Sequence, residues 1–269
     1  LPTMYCKILG SWWAIPTPRP FTNGILTQKA RKDKSLQRDC SCFWIDDIKT
    51  LVDCPETVGN SANKAGIAEI QNLFITHWHP DHCFWLRLVL ESKYDFYTKE
   101  TLNPLNLYLP KAIYEDIKRV YPSIDFFIEV KKCANLVFIR DEEVIDFWDI
   151  KVKVIWYEEN DPHRFAYLFM HNKKSLLYMP CDTIGFVKDL PKVDILVHEC
   201  GILSQEVKHE ISFEAMLQRI RLATPWRTIL THIEEIELER HGLHIFWDLE
   251  KKYSDENILF AYDGMDFYL

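Results

Sequence analysis

The most informative segment of this chain is Thr76-His77-Trp78-His79-Pro80-Asp81-His82. It continues the apolar run 73–76, which has the pattern of a buried strand, and Pro80 prevents that strand from continuing. The histidines are therefore expected on a loop that leaves a sheet. In such a loop the alternating side chains of His77 and His79 can converge on one point. Asp81 and His82 begin the next, helical stretch and can reach a second point nearby.

Three imidazoles and a carboxylate form a ligand set suited to Zn²⁺, Mn²⁺ or Fe. The alternative interpretation is a polar loop in which histidines happen to cluster. Four such residues within six positions, directly after an apolar strand, favour a metal site.

Other residues that can bind metal recur at the ends of predicted strands. Asp53 ends the strand pattern at Leu51-Val52, Asp182 follows the pattern at 176–179, and His232 follows that at 228–231. Taken singly, each could be a capping carboxylate or a hydrogen-bonded structural histidine. Ligands in open α/β sheets collect at the carboxyl ends of strands, so the repetition predicts a shared site.

Strand and helix patterns alternate along the whole chain, which predicts a layered α/β protein. No Pro/Gly/Ser linker divides it, so we expect a single hydrolase domain over residues 1–269. Only 8 glycines occur, so several tight turns must use other residues. The remaining strand patterns are at 152–155 and 193–197, and the helical patterns at 112–120, 213–222 and 243–252.

Composition narrows the classes of function. The chain has 32 Lys+Arg against 40 Asp+Glu, a formal charge of −8, which disfavours non-specific nucleic-acid binding. Its 8 cysteines show no paired CxxC spacing, so we expect reduced, buried thiols. No apolar run has the length of a membrane span and no leader pattern opens the chain, so we expect a cytoplasmic protein without a membrane partner.

The 76–82 stretch resembles the HxHxDH signature of the metallo-β-lactamase superfamily. Further segments match in order along nearly the whole chain: 9–11 with 15–18, 51–53, Pro180-Cys181-Asp182-Thr183, 229–232, and Ala261-Tyr262-Asp263-Gly264-Met265, which resembles the closing strand. The resemblance implies the αββα four-layer sandwich of that superfamily.

Within the superfamily the chain is similar to the phosphodiesterase branch. The long segment between Pro18 and Cys40, His209 ahead of a helix and the Asp-Gly-Met ending resemble phosphoribosyl 1,2-cyclic phosphate phosphodiesterases. The segments 15–18 and 197–199 are similar to the tRNA 3′-processing ribonuclease Z enzymes. The phosphoribosyl enzymes carry a structural zinc, but residues 16–39 contain no cysteine and Glu235 stands where a matching histidine would fall. We therefore predict no structural zinc.

The resemblance also implies a ligand set for two divalent ions, Zn or Mn with Fe as an alternative. His77, His79 and His163 would hold one ion, Asp81, His82 and His232 the other, and Asp182 would bridge them. His163 lies only two residues before Phe165, closer to its strand than the family pattern places this ligand. The alternative ligands are Glu159, Asn160 and Asp161. The other interpretation is that His163 is a surface-loop histidine without a metal role.

The chemistry implied is hydrolysis of a phosphate ester by a hydroxide held between two ions, with Asp81 and His209 as catalytic residues. His209 would donate a hydrogen bond or proton to a phosphate oxygen. Asp53 is expected to orient a ligand histidine through its other ring nitrogen.

We expect a dinuclear phosphodiesterase acting on a small or cyclic phosphate ester. A ribonuclease Z-like endonuclease is the first alternative, disfavoured by the acidic balance. A lactonase or thioesterase is the second, because the same ions serve carbonyl chemistry. The non-enzyme alternative is a binding protein of this fold, like the accessory proteins of quinone-cofactor biosynthesis, which typically lose parts of the metal set. The sequence leaves the oligomeric state open.

Overall fold

Two large β-sheets form the centre of the molecule in the computed structural model, which describes residues 3–158, 163–186, 189–203 and 210–269. The first sheet has the strand order β16-β1-β2-β3-β4-β7-β8. These strands are β1 Tyr5–Gly10, β2 Cys42–Ile45, β3 Thr50–Val52, β4 Asn72–Phe74, β7 Leu105–Pro110, β8 Ala134–Ile139 and β16 Asp266–Tyr268. β5 Tyr94–Asp95 and β6 Glu100–Thr101 form a separate small hairpin.

The second sheet has the order β15-β14-β13-β12-β11-β10-β9. Its strands are β9 Val144–Phe147, β10 Ile150–Glu158, β11 Arg164–His171, β12 Lys174–Met179, β13 Ile195–Glu199, β14 Arg227–Thr231 and β15 Ile258–Phe260. β12 to β15 are parallel, as are β3, β4, β7 and β8 in the first sheet. Each sheet therefore has an edge at which the carboxyl ends of several strands meet.

Aromatic side chains fill the space between the two sheets. Phe43 of the first sheet stacks on Tyr178 of the second, with ring centroids 5.0 Å apart, and Phe74 meets Tyr167 at the same distance. The Tyr167 hydroxyl donates to the carbonyl oxygen of Ile75 at 2.6 Å, which satisfies both polar groups inside an apolar core. This packing fixes the position of the chain directly before the histidine loop.

Helices cover the outer faces of both sheets. The apolar side chains of α2 Val58–Lys64, α4 Leu86–Glu91 and α5 Lys111–Val120 belong to the cluster that contains the first sheet. Those of α1 Ile25–Ala30, α6 Phe213–Ala223, α7 Glu235–His241 and α8 Ile245–Lys252 pack with the second sheet. The short α3 Pro80–Cys83 carries half of the histidine motif. The layers are thus helix, sheet, sheet, helix, as expected.

Helix α6 illustrates how the sequence builds a covering helix. Ser212 caps it by accepting a hydrogen bond from the backbone N–H of Ala215, a favoured capping arrangement. Phe213, Met216 and Leu217 are buried at helical spacing. The helix ends at Thr224, whose backbone is left-handed.

Most of the predicted strands and helices are confirmed, with one error. Residues 261–265, which resemble a closing strand, form a turn between β15 and β16. Gly264 in that turn has a φ of +85°, a conformation incompatible with a strand. The expectation that other residues replace scarce glycines in turns is confirmed: among the described residues fourteen non-glycine residues and four glycines have positive φ.

Across the described ranges, none of the helices combines the length and the apolar character that crossing a membrane would require.

Candidate metal centre

Three of the predicted site residues lie within a few positions of a strand end and share an unusual backbone conformation. Asp53, Asp182 and His232 have φ values of +65°, +48° and +57°. This left-handed region is sparsely populated by non-glycine residues, though Asp and His tolerate it better than most. Such backbone geometry persists only where surrounding structure holds it, and it clusters at functional sites. Here it turns side chains from both sheets toward one edge.

Asp81, His82 and His232 form one compact set of donors. The Nε2 atoms of His82 and His232 lie 3.3 Å apart, and the Asp81 Oδ2 lies 3.3 Å from each of them. All three residues are buried. Donors placed tetrahedrally around a zinc ion at ~2.1 Å are roughly 3.4 Å apart, so these separations suit a single ion.

His77, His79 and Asp182 form the second set. Their ligand atoms lie within 4.8 Å of one another, together with the Cys181 Sγ. The His77 ring centroid lies 4.6 Å from that of His79 and 4.2 Å from that of His82, so the two sets adjoin. The structure thus brings together six of the seven residues predicted to bind metal.

A hydrogen-bond network centred on Asp53 orients two of these histidines. The Asp53 carboxylate accepts from the backbone N–H of Thr76 at 2.8 Å and from its hydroxyl at 2.9 Å, and its Oδ2 lies 2.8 Å from His82 Nδ1. The Thr76 hydroxyl lies 2.9 Å from His77 Nδ1. Because that hydroxyl donates to Asp53, it accepts the Nδ1–H of His77, which leaves the Nε2 lone pair of His77 available. This geometry agrees with the expected positioning role of Asp53.

The polar environment of these two histidines differs. Burial, together with the neighbouring imidazoles of His82 and His79, lowers the pKa of His77 well below its ordinary value. Burial also opposes the charged form of His82, but the carboxylates of Asp81 and Asp53 outweigh it and raise the pKa of His82 to about 10. His77 is therefore ready to coordinate a cation, whereas His82 must first release a proton.

The donor atoms of the centre fit divalent ions. His77 is fully buried, and its Nε2 has no hydrogen-bond partner among the described residues. Leaving such an atom unpaired costs about 1–3 kcal/mol, a cost that coordination of a cation removes. Imidazole nitrogens with carboxylate oxygens suit Zn²⁺, Mn²⁺ and Fe.

The structure places His163 apart from these two donor sets. Its Nδ1 lies 2.8 Å from the Asp116 carboxylate of α5, and its ring lies 6.4 Å from that of Trp156. The role of His163 as a ligand remains a prediction. The alternative ligands, residues 159–161, lie outside the described residues. The predicted catalytic residue His209 also lies outside them.

Two residues of the site could not be identified from the motif. Arg164 hydrogen-bonds through its Nη2 to the Asp182 Oδ2. Arg164 opens β11 and Asp182 follows β12, so the antiparallel pairing of these strands brings them together. The Cys181 Sγ lies within 4.8 Å of ligand atoms in both sets. The only sequence signal for Cys181 was its position next to Asp182.

Glu210, which the motif does not contain, has a shifted pKa. Burial, followed by the negative charges of Glu199 and Asp182, raises the pKa of Glu210 to about 9. Glu210 is therefore protonated at neutral pH in the ion-free protein.

Glu235, at the position of the absent structural zinc ligand, is engaged in other contacts. Its buried carboxylate accepts hydrogen bonds from the hydroxyls of Thr27, at 2.7 Å, and Thr17. These hydrogen bonds help to link the opening segment to α7. The absence of a structural zinc remains a prediction.

The family of this chain follows from comparison with known proteins. Residues 30–218 match the family model described as "Anti-Pycsar protein Apyc1". The chain belongs to the Apyc1 family. The part that matches the Apyc1 model contains the histidine motif 77–82 and Asp182, whereas His232 lies beyond it.

Some individual proteins resemble part of the sequence of this Apyc1-family member, and others share its fold. A ribonuclease Z from Picrophilus torridus is 28% identical over 157 residues, which cover 56% of this chain and 48% of the relative. The chain thus spans about half the length of that curated relative.

Two solved structures cover nearly the whole chain. A diphosphatase of the PhnP family has a TM-score of 0.78 at 18% identity, covering 99% of this chain and 98% of its own. The metallo-beta-lactamase fold protein YhfI from Bacillus subtilis has a TM-score of 0.70 at 14% identity, covering 100% of both chains. The expected metallo-β-lactamase fold is confirmed.

Proposed function

We propose that this protein is a metal-dependent phosphodiesterase with two divalent ions, Zn²⁺ or Mn²⁺ with Fe as an alternative, acting on small or cyclic phosphate esters. The observation that carries the proposal is the pair of adjoining donor sets, one at His77, His79 and Asp182 and one at Asp81, His82 and His232. His163 is proposed to complete the first set, and Asp182 to lie between the two ions.

Ions in these positions would acidify a water molecule and stabilise charge on phosphoryl oxygens. The chain's own residues prepare the site for this. Asp53 holds the ring of His82 directly and that of His77 through Thr76, which directs both Nε2 atoms into the centre. His209 is proposed to donate a hydrogen bond or proton to a phosphate oxygen.

A guanidinium at the centre supports an anionic substrate over a neutral one. The guanidinium of Arg164 lies against Asp182 at the centre, and arginine is well suited to phosphate oxygens because its donors form a planar fork. A lactone or thioester has no negative charge at the reacting group. For this reason we rank the lactonase and thioesterase alternatives below phosphoester hydrolysis.

A ribonuclease Z-like activity is the second candidate, supported by the 28% identity over 157 residues with the Picrophilus torridus protein. The formal charge of −8 opposes it, because binding of a folded RNA depends on clustered Lys and Arg. A binding protein without activity is the third. The completeness of the six-residue donor constellation argues against it, since binding proteins of this fold typically lose ligands.

A substrate panel tests the proposal. Protein reconstituted with Zn²⁺ or Mn²⁺ would be assayed on a generic phosphodiester, a cyclic ribose phosphate, a lactone and a precursor tRNA. We expect turnover of the two phosphate esters, abolished in Asp182→Ala. Asp194→Ala is the matched control, because Asp194 also accepts hydrogen bonds, from Ser175 at the opposite ends of the strands. Selective cleavage of the tRNA, or of the lactone, would contradict the proposal.

A further inference from the structure

Cys181 lies where the two donor sets meet. It follows the last residues of β12, directly before Asp182, and its side chain is 2% exposed. Its Sγ lies within 4.8 Å of ligand atoms of His77, His79 and Asp182, and also within 4.8 Å of those of His82 and His232. Cys181 is the residue common to both groups of potential ligands in the described part of the chain.

A second observation independently indicates a cation at this position. His77, whose fully buried Nε2 atom has no hydrogen-bond partner among the described residues, belongs to the same group of potential ligands as Cys181. A buried imidazole nitrogen whose lone pair is unused points to an electrophile within the group. The sulfur atom is therefore placed against an ion site that other residues already define.

We propose that Cys181 is a ligand of the metal centre and binds as a thiolate, releasing its proton to solvent as the ion enters. This inference rests on the proposed dinuclear centre and extends it by one donor that the histidine and carboxylate pattern does not contain. A coordinating thiol is deprotonated by the ion itself, so a buried cysteine is suitable for this role despite its surroundings.

A thiolate changes which ions the centre prefers. Soft sulfur ligands favour Zn²⁺, whereas carboxylate and water ligands suit Mn²⁺. Without Cys181, the remaining donors of the site are nitrogen and oxygen atoms. The proposal therefore assigns the native ion as zinc, and it predicts that Cys181→Ser shifts the preference toward manganese.

X-ray absorption at the zinc edge of the wild-type, zinc-loaded protein tests this without any substitution. We expect a sulfur scatterer at ~2.3 Å in addition to nitrogen and oxygen at ~2.0–2.2 Å. A spectrum with nitrogen and oxygen alone at full zinc occupancy would overturn the proposal, as would failure of the protein to bind zinc.

Substitution then assigns the sulfur to one residue. Cobalt-loaded wild-type protein should show a thiolate-to-metal charge-transfer band, and Cys181→Ser and Cys181→Ala should lose it. Cys200→Ser is the matched control, because Cys200 is also buried after a neighbouring strand, β13, but belongs to neither ligand group of the described residues. A band that persists in both Cys181 variants, or disappears in Cys200→Ser, would refute the assignment.

Turnover is measured separately, so the two proposals can fail independently. A sulfur scatterer without phosphodiester hydrolysis would leave Cys181 as a ligand and remove the proposed activity. Hydrolysis with a centre that contains only nitrogen and oxygen ligands would support the proposed activity and refute Cys181 as a ligand.

Discussion

Replacement of Asp53 by asparagine tests how the protein prepares its histidines. The change preserves shape, and the asparagine oxygen can still accept from the N–H and hydroxyl of Thr76, which lie 2.8 and 2.9 Å from the Asp53 Oδ1. The amide nitrogen then faces His82 Nδ1, which lies 2.8 Å from the present Oδ2. An amide N–H₂ cannot accept the Nδ1–H of His82, so the ring must carry its proton on Nε2 instead.

That tautomer places an N–H where a cation should be, 3.3 Å from the Nε2 of His232. Loss of a partner that orients a metal-binding histidine typically costs 10–100-fold in metal affinity, or roughly 1.4–2.7 kcal/mol. We expect a loss in this range for Asp53→Asn at the His82 position. The fold should survive, because Thr76 keeps its hydrogen bonds to the remaining oxygen and the side-chain volume is nearly unchanged.

The assay is competition between the protein and a chelator for zinc, followed by a thermal melt of each ion-free variant. Asp194→Asn is the control, since its carboxylate likewise accepts two hydrogen bonds from one residue, Ser175, remote from the histidine loop. Zinc affinity of Asp53→Asn equal to that of wild type would show that Asp53 does not set the tautomer of His82.

Three further predictions concern the bridging residue, pH and the core. Asp182→Ala should abolish turnover and lower the bound metal below two ions per chain while the thermal melt stays cooperative; an active variant with two ions would show that the bridge is misassigned. Because His82 has a pKa raised to about 10 in the ion-free protein, ion binding must expel its proton, so zinc affinity should fall at least about tenfold for each unit of pH below 8, and about a hundredfold if the Cys181 thiol releases a second proton to the same ion; a flat profile in chelator competition would contradict this. Phe43→Ala should lower the free energy of unfolding by about 3–5 kcal/mol in urea, whereas Phe21→Ala, at a fully exposed position, should change it by less than about 0.5 kcal/mol; equal effects would mean that the sheet interface is misplaced.

Local sequence patterns predicted those parts of the fold that depend on neighbouring residues. The apolar run before His77, the breaking effect of Pro80 and the helical spacing in 213–222 each act within a few positions, so they could be recognised without the fold. The convergence of Asp53, Asp182 and His232 also followed from one rule, that carboxyl ends of parallel strands share an edge.

Features that depend on pairing between distant segments could not be predicted. Arg164 reaches Asp182 because β11 and β12 are antiparallel neighbours, and their register is set by the core rather than by either sequence. Cys181 has the composition of an ordinary buried thiol, and only its location between two donor sets distinguishes it. Residues 261–265 resemble the family's closing strand in sequence, but Gly264 has a φ of +85° and the strand begins only at Asp266.

The central claim, a two-ion phosphodiesterase centre, is tested most directly by titrating ion-free protein with zinc while following hydrolysis of a generic phosphodiester. If the centre needs two ions, the ion-free protein is inactive and activity reaches its plateau at two zinc ions per chain. A plateau at one ion, or hydrolysis by the ion-free protein at the same rate, would contradict it.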